Sequence, residues 1–299
     1  MSQPKHLIAT LAVVMILCLW PNRASAQATG AGQPQSPAAR SQWKFYPSER
    51  AVGDGGPAPK RDLSGTWAGP GSGAGVSQFA ENEQESPREK PVLTPYGQQL
   101  MSRSKPLRPY GPAGTNDAHV RYCDPFGFPQ NMLSEIRGVS FAVEPSRVVV
   151  LVQYMDVWRE IWTDGRSLPS NVDAPGKDSP NPRFNGYSVG HWEDDYTFVV
   201  DTTGIDDRTW LTAAGYPHTI NAHIQERYTR LSHNDLKLTI TVDDPQVYAK
   251  PFSLGTVQFR WIPNQQTDEW LCVPSELQEY LSLVGDPAGS DPAAEKQGR

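Results

Sequence analysis

Two histidines and one glutamate stand close together late in the chain, within the segment PHTINAHIQER. They are His218, His223 and Glu226. Two imidazoles and a carboxylate can hold a divalent metal ion with one open coordination position, or act as a general acid and a general base. We therefore predict that His223 and Glu226 transfer protons and that His218 helps to bind the substrate.

The strand predicted for this segment separates these side chains. If the strand begins near His223, that histidine shares a face with Gln225 and Arg227. Glu226 then points to the other face, together with Ile224. Opposite faces disfavour a shared metal ion unless a β-bulge intervenes. A second interpretation stays open, in which Glu226 pairs with an arginine inside a barrel or at its rim.

A second candidate is a carboxylate between two indoles, in the segment DVWREIW. Strand alternation places Trp158, Glu160 and Trp162 on one face. The indoles supply apolar area, and desolvation would raise the pKa of Glu160 towards a catalytically useful value. Alternatively, both tryptophans belong to the core and Glu160 pairs with an arginine on the neighbouring strand.

The segment GYSVGHWED adds further groups, because alternation places His191 on one face with Tyr187 and Glu193. The Asp-Gly pair after Trp162 predicts a hairpin loop from which Arg166 could reach over a barrel mouth. Two strands that each present aromatic and ionisable groups indicate a ligand cavity with a few polar anchors. The candidate catalytic groups are His191, His223, Glu226 and Glu160, and the candidate binding groups are Trp158, Trp162, Tyr187, Arg166 and His218.

The pentapeptide from Gly186 to Gly190 matches the G-x-S-x-G pattern of serine hydrolases. That pattern works where a strand turns sharply into a helix, which lifts the serine to the helix N-terminus. Here the residues that follow, HWEDDYTFVVDTT, predict a turn and a second strand. The pentapeptide therefore indicates a strand whose small residues allow close packing.

These groups are compatible with three functions. The first, which we favour, is an exported, cofactor-independent lyase, isomerase or hydrolase that acts on a small, partly apolar molecule inside a β-barrel by His/Glu acid–base chemistry. The second is a non-catalytic binder of a hydrophobic or aromatic small molecule, and the third is an interaction protein. The sequence contains no phosphate loop, dinucleotide fingerprint or haem-attachment motif, so we predict no cofactor, with a divalent metal at His218, His223 and Glu226 as the alternative.

Short strand-like runs must position these residues. Between residues 61 and 285 they alternate with turn signals, and several neighbours read as antiparallel hairpins. The runs are VSFAVE, RVVVLVQY, DVWREIW, GYSVGHW, YTFVVDTT, HIQERYTRL, LKLTITVD and TVQFRWI. Short helices are predicted only at TPYGQQLMSRS and PSELQEYLSLV. We predict an all-β antiparallel meander that closes into a barrel, or alternatively packs as a β-sandwich.

Two resemblances refine this expectation. The segment DLSGTW, with Gly65 and Trp67, resembles the Gly-x-Trp opening of lipocalin-like barrels, and this resemblance implies that Arg260 covers Trp67. The series DLSGTW, LTPYG, CDPFGFP, IWTDGR, GYSVGHWEDD, PHTINAHIQERY and DDPQVYAKPF is similar to a family of exported bacterial β-rich proteins over residues 62–276. That similarity implies export and a β-rich fold, and it transfers no activity.

The N-terminus predicts export. A basic flank precedes an apolar run from Leu7 to Trp20, and a small-x-small triplet ends at Ala26. This order is typical of a secretory signal, so we predict cleavage after Ala26 and a periplasmic or secreted protein. The Pro/Gly/Ala-rich residues 27–60 predict a disordered linker, residues 61–285 one domain, and residues 286–299 a flexible tail.

The cysteine and charge counts limit the partners. Cleavage removes Cys18 and leaves Cys123 and Cys272, which predicts one disulfide, although two unrelated buried thiols are the alternative. The chain has 27 basic and 33 acidic residues, a formal net charge of −6, and no basic block. Nucleic acid and anionic membranes are therefore poor candidate partners, and the oligomeric state stays open.

Overall fold

The computed structural model describes residues 55–68, 76–77, 90–133, 138–263 and 269–286. The strands are β1 (Gly65–Ala68), β2 (Val76–Ser77), β3 (Val139–Val143), β4 (Arg147–Val152), β5 (Val157–Trp162), β6 (Tyr187–Trp192), β7 (Thr197–Thr203), β8 (His223–Arg230), β9 (Asp235–Asp243) and β10 (Phe252–Trp261). The helices are α1 (Pro95–Met101), α2 (Leu107–Gly114), α3 (Ala118–Tyr122), α4 (Gln130–Leu133) and α5 (Pro274–Tyr280). A 3₁₀ turn covers Tyr154–Asp156, and a π-helical turn, Leu281–Gly285, follows α5.

Nine of these strands close into a barrel. The order is β1-β3-β4-β5-β6-β7-β8-β9-β10, and β10 returns to β1 through the pair Trp67↔Trp261. The short strand β2 pairs separately with β10. Closure satisfies the backbone groups that an open sheet would leave at its edges. The predicted β-rich meander is therefore confirmed as a barrel, and the β-sandwich alternative is wrong.

One junction of the barrel is parallel. Strands β5 and β6 pair only at Ile161↔Ser188 and Trp162↔Val189, whereas every other neighbouring pair in the barrel is antiparallel. A parallel pair requires a long crossover, which residues 163–186 supply. The hairpin predicted at the Asp-Gly turn is therefore wrong, because the chain crosses back before β6 begins.

The strand prediction for the G-x-S-x-G pentapeptide is confirmed. Gly190 lies within β6, and a Cβ atom there would lie 2.5 Å from Phe198 and 2.8 Å from Ile161. Ser188 is buried within the same strand and not at a helix N-terminus. Glycine at position 190 thus allows β6 to approach its neighbours closely.

Apolar side chains fill the barrel interior. Along β8 and β9 every second residue is buried, as the pleat of a strand requires. The largest fully buried side chains include Trp67, Phe198, Tyr228 and Phe259. A barrel of this size has room for a core of this kind.

The arginine that covers Trp67 is not the predicted one. The guanidinium of Arg230, and not that of Arg260, lies 4.6 Å from the Trp67 ring centre. Arg260 forms an ion pair with Asp235 at 2.9 Å, where both side chains are partly exposed. Alternation explains the difference, because Phe259 is buried in the core and its neighbour Arg260 must therefore face outwards.

The C-terminal segment is tied to the barrel. The predicted disulfide between Cys123 and Cys272 is confirmed, with 5.4 Å between the Cα atoms. Arg121 of α3 also forms an ion pair with Asp286 at 3.0 Å. Both predicted helices are confirmed: one is α1, and the other is α5 together with its π-helical turn. Thr94 caps α1 by accepting a hydrogen bond from the Gly97 N–H.

Several predictions fall on residues that the structure does not describe. These are the predicted signal peptide (residues 1–26), most of the predicted linker (residues 27–60) and most of the predicted tail (residues 286–299). The described residues form one compact unit. Within it, no helix combines the length and apolar character that crossing a bilayer would need.

Candidate functional site

A cleft of about 580 Å³ lies at the junction of β5 and β6. The two strands pair only at Ile161↔Ser188 and Trp162↔Val189, and ahead of these pairs the Asn185 side chain donates a hydrogen bond to the Trp158 carbonyl oxygen at 3.2 Å. The cleft is lined by Pro125, Asp156, Val157, Trp158, Arg159, Glu160, Trp162, Arg166, Ser167, Leu168, Pro169, Arg183, Phe184, Asn185, Gly186, Tyr187, Ser188 and Val189. Its size and its mixture of apolar and polar groups are typical of small-molecule sites.

Aromatic rings stacked with arginines form its walls. The Arg166 guanidinium lies 3.6 Å from the Trp162 ring centre, and the Arg183 guanidinium lies 4.3 Å from that of Tyr187. Trp158 is 66% exposed. These contacts hold the rings and the guanidinium planes in fixed orientations, since a cation over an aromatic face is attracted by the ring quadrupole. The interpretation of Trp158 as a core residue is therefore wrong.

One lining residue, Arg159, directs its charged group into the barrel interior. Its side chain is buried and donates hydrogen bonds from Nε to Ser188 Oγ at 3.0 Å and from Nη2 to Glu226 Oε2 at 2.6 Å. Nη2 also lies 2.6 Å from Thr202 Oγ1, and the guanidinium stacks 3.9 Å from the ring centre of Phe128. Only Nη1 has no hydrogen-bond partner within the described part of the chain.

Glu226 is the counter-ion of Arg159. Its carboxylate is fully buried, and its second oxygen accepts a hydrogen bond from the Tyr228 hydroxyl at 2.6 Å. Burial, together with the adjacent Glu226 charge, raises the pKa of Tyr228 well above its ordinary value. This position matches the second of the two interpretations of Glu226, an ion pair with an arginine inside the barrel. The predicted proton-transfer role of Glu226 has no support in this geometry.

Two carboxylates near the rim of the cleft, those of Glu160 and Asp164, take part in ion pairs. Glu160 lines the cleft and pairs with Arg147 of the neighbouring strand, as its alternative interpretation expected. Arg166 donates two hydrogen bonds to Asp164, at 2.9 Å from Nε and 2.6 Å from Nη2. The hydrogen bonds from Arg166 lower the pKa of Asp164 below its ordinary value. Arg166 is thus held over Trp162 by a carboxylate that stays ionised.

The cleft gathers five of the nine candidate residues. Trp158, Glu160, Trp162, Arg166 and Tyr187 all line it. His191 does not, although it shares a strand face with Tyr187, because it lies four residues further along β6, a rise of roughly 13 Å. Shared alternation therefore does not bring the histidine to the aromatic site.

His223 and Glu193 belong to the outer surface of the barrel. His223 lies 3.0 Å from Asp201, and Glu193 pairs with Arg227. The burial pattern of β8 confirms that His223 and Glu226 point to opposite faces. His223 and Glu226 therefore do not share one cavity.

His218 lies in a third environment, the segment between β7 and β8. It is buried, with Nε2 at 3.0 Å from Thr209 Oγ1 and Nδ1 at 3.2 Å from the Thr219 carbonyl oxygen. His218, His223 and Glu226 thus occupy three separate surroundings. Among the residues that the structure describes, no group of three His, Cys, Asp or Glu side chains could hold a metal ion.

The buried His218 should make the free energy of unfolding depend on pH. Burial lowers the pKa of His218 below its ordinary value, so the unfolded chain takes up a proton near pH 6.5 while the folded chain does not. The free energy of unfolding should therefore decline as the pH falls below about 6.5, by at most about 1.4 kcal/mol per pH unit. Above that pH both states hold a neutral imidazole, and the contribution is constant.

The substitution His218→Gln should flatten this decline, which denaturant unfolding between about pH 7 and pH 5 would measure. His223→Gln is the matched control, because it removes an imidazole that is 46% exposed. Identical slopes for the wild type and His218→Gln would contradict the assignment.

Most of the lining residues were not anticipated from the sequence, among them Arg159, Arg183, Phe184 and Asn185. A signal existed for Arg159, because alternation places it on the buried face with Ile161. A charge at a core position requires a buried partner. Asn185, which donates to the Trp158 carbonyl oxygen at 3.2 Å, lies in the crossover and carries no comparable signal.

Comparisons of this chain with protein-family models, curated proteins and solved structures found no match.

Proposed function

We propose that this protein binds a small, planar, partly apolar molecule in the cleft between β5 and β6. The observation that carries this proposal is the pairing of aromatic walls with fixed polar groups in a space of about 580 Å³. Trp158 offers an exposed indole, while Trp162 and Tyr187 are each stacked with an arginine. Exposed aromatic surface beside oriented hydrogen-bond donors is typical of ligand recognition.

The residues that come together in the cleft favour ligand binding over acid–base catalysis. The aromatic residues meet in the cleft, whereas His191 and His223 lie elsewhere on the barrel surface and Glu226 is held by Arg159. The carboxylate of Glu160, which does line the cleft, is engaged by Arg147. The chemistry present in the cleft is therefore recognition by stacking and by hydrogen-bond donation.

The proposed place of action is outside the cytoplasm. The disulfide between Cys123 and Cys272 supports this, because such bonds persist in oxidising compartments. A lipocalin-like relationship is also proposed, supported by the closed barrel and by the burial of Trp67 beneath Arg230. The proposed ligand site differs from a lipocalin-type interior site, since it lies between two strands.

The test is a fluorescence titration with the neutral dye N-phenyl-1-naphthylamine. We expect Trp158→Ala to weaken dye binding roughly five- to tenfold, because one stacking ring is lost. Thermal stability should change little, since this side chain is 66% exposed. Tyr122→Ala is the matched control, because it removes a ring that is 65% exposed and does not line the cleft. Equal binding by both variants and the wild type would contradict the proposed site.

A further inference from the structure

We propose that the ligand carries an anionic group, a carboxylate or a chemically similar acid, which Arg183 recognises with help from Arg166. This inference rests on the proposed binding function and specifies its ligand class. Both arginines line the cleft. Each leaves hydrogen-bond donors without a protein acceptor among the described residues.

Arg183 is the more available of the two. Its backbone N–H donates to the Gly204 carbonyl oxygen at 3.0 Å, which fixes the position of the residue beside β7. Its guanidinium stacks on Tyr187, and in the described part of the chain it forms no ion pair. A stacked guanidinium keeps its N–H edge free, so it can bind a carboxylate through two parallel hydrogen bonds.

Arg166 is partly committed. It uses Nε and Nη2 for Asp164, which leaves Nη1 without a described acceptor. Arg159 also belongs to the cleft lining, but its guanidinium faces the barrel interior, where Nε and Nη2 donate to Ser188 and Glu226. A ligand that lies against the outward-facing tryptophans therefore meets Arg183 and Arg166.

The lining carboxylates restrict where the anion can lie. Glu160 shares the Arg147 guanidinium with Glu144, so one negative charge remains at that end of the cleft and would repel an anion. Asp156, in the 3₁₀ turn before β5, forms no ion pair with another described residue. It would repel an anion and would attract a cationic ligand instead. The inference therefore places the acid group against Arg183 and the apolar part of the ligand against Trp158 and Trp162.

Three naphthalene probes of equal shape test this inference on the mature protein: 2-naphthoate, 2-naphthylmethanol and 2-naphthylmethylamine. Quenching of tryptophan fluorescence gives the dissociation constant of each. We expect the acid to bind about tenfold more tightly than the alcohol, and the alcohol more tightly than the amine. Raising the salt concentration should weaken binding of the acid and leave binding of the alcohol unchanged.

Arg183→Gln should reduce the affinity for 2-naphthoate about tenfold and change that for 2-naphthylmethanol less than twofold. Arg260→Gln is the matched control, because Arg260 is an exposed arginine on β10 that does not line the cleft. Equal affinity for the acid and the alcohol, or tightest binding of the amine, would overturn the inference while leaving the proposed function intact. Failure of all three probes to bind would count against the proposed function itself.

Discussion

Replacing Glu226 with glutamine is expected to lower the free energy of unfolding by about 3–5 kcal/mol, because it leaves the Arg159 guanidinium buried without a counter-charge. The side chain of Arg159 is 4% exposed and that of Glu226 is fully buried. Water therefore cannot solvate the arginine once its partner has lost its charge. Denaturant-induced unfolding followed by circular dichroism would measure the loss.

Two further variants make this result specific to the buried pair. Glu193→Gln removes a carboxylate from the exposed ion pair with Arg227 and should change stability little. The double variant Arg159→Met, Glu226→Met removes both charges and should be more stable than Glu226→Gln. If Glu226→Gln unfolds at the same denaturant concentration as the wild type, the ion pair is not the structural element described above. Such a result, combined with lost turnover or binding, would restore the proton-transfer interpretation of Glu226.

Removing the disulfide is expected to have the other large effect. Cys123 and Cys272 are separated by 149 positions, for which the chain-entropy relation gives a stabilisation of at most about 5 kcal/mol. The bond also holds the C-terminal segment in place, where the Trp270 carbonyl oxygen accepts a hydrogen bond from the Met155 N–H at 2.7 Å. The Trp270 ring lies 5.0 Å from that of Tyr154.

The double variant Cys123→Ala, Cys272→Ala avoids leaving a single reactive thiol, and its free energy of unfolding should be compared with that of the oxidised wild type. Reduction of the wild type should produce a loss of similar size, with Cys123 and Cys272 reactive towards thiol reagents after reduction and unreactive before. Unchanged stability in both experiments would show that the loop closure does not contribute. Loss only in the double variant would instead point to packing around the cysteine side chains.

Several features of the fold could be predicted from the sequence alone. Alternating hydrophobicity with frequent turn residues predicts a β-rich meander, because a strand has a side-chain period of two. The same period correctly separates His223 from Glu226 on β8. The disulfide was also predictable, since an exported chain without Cys18 has only one possible cysteine pair.

The location of the site required the tertiary structure. Alternation groups Trp158, Glu160 and Trp162 on one face of β5, but it does not say whether that face is inside the barrel. Arg159 and Ile161 occupy the interior of the barrel. The neighbour of an inward-facing residue must face outwards, so the tryptophans lie on the outside.

Strand order is the physical reason for the remaining differences. The parallel junction of β5 and β6 depends on the path of residues 163–186, and nothing local to the Asp-Gly turn distinguishes a hairpin from a crossover. That junction opens the cleft, brings Arg183 and Tyr187 opposite Trp158, and leaves His191 at a distance. The sequence alone therefore predicts which side chains share a face of one strand. Which residues face one another across the cleft depends on the pairing of distant strands, and that pairing follows only from the closed barrel.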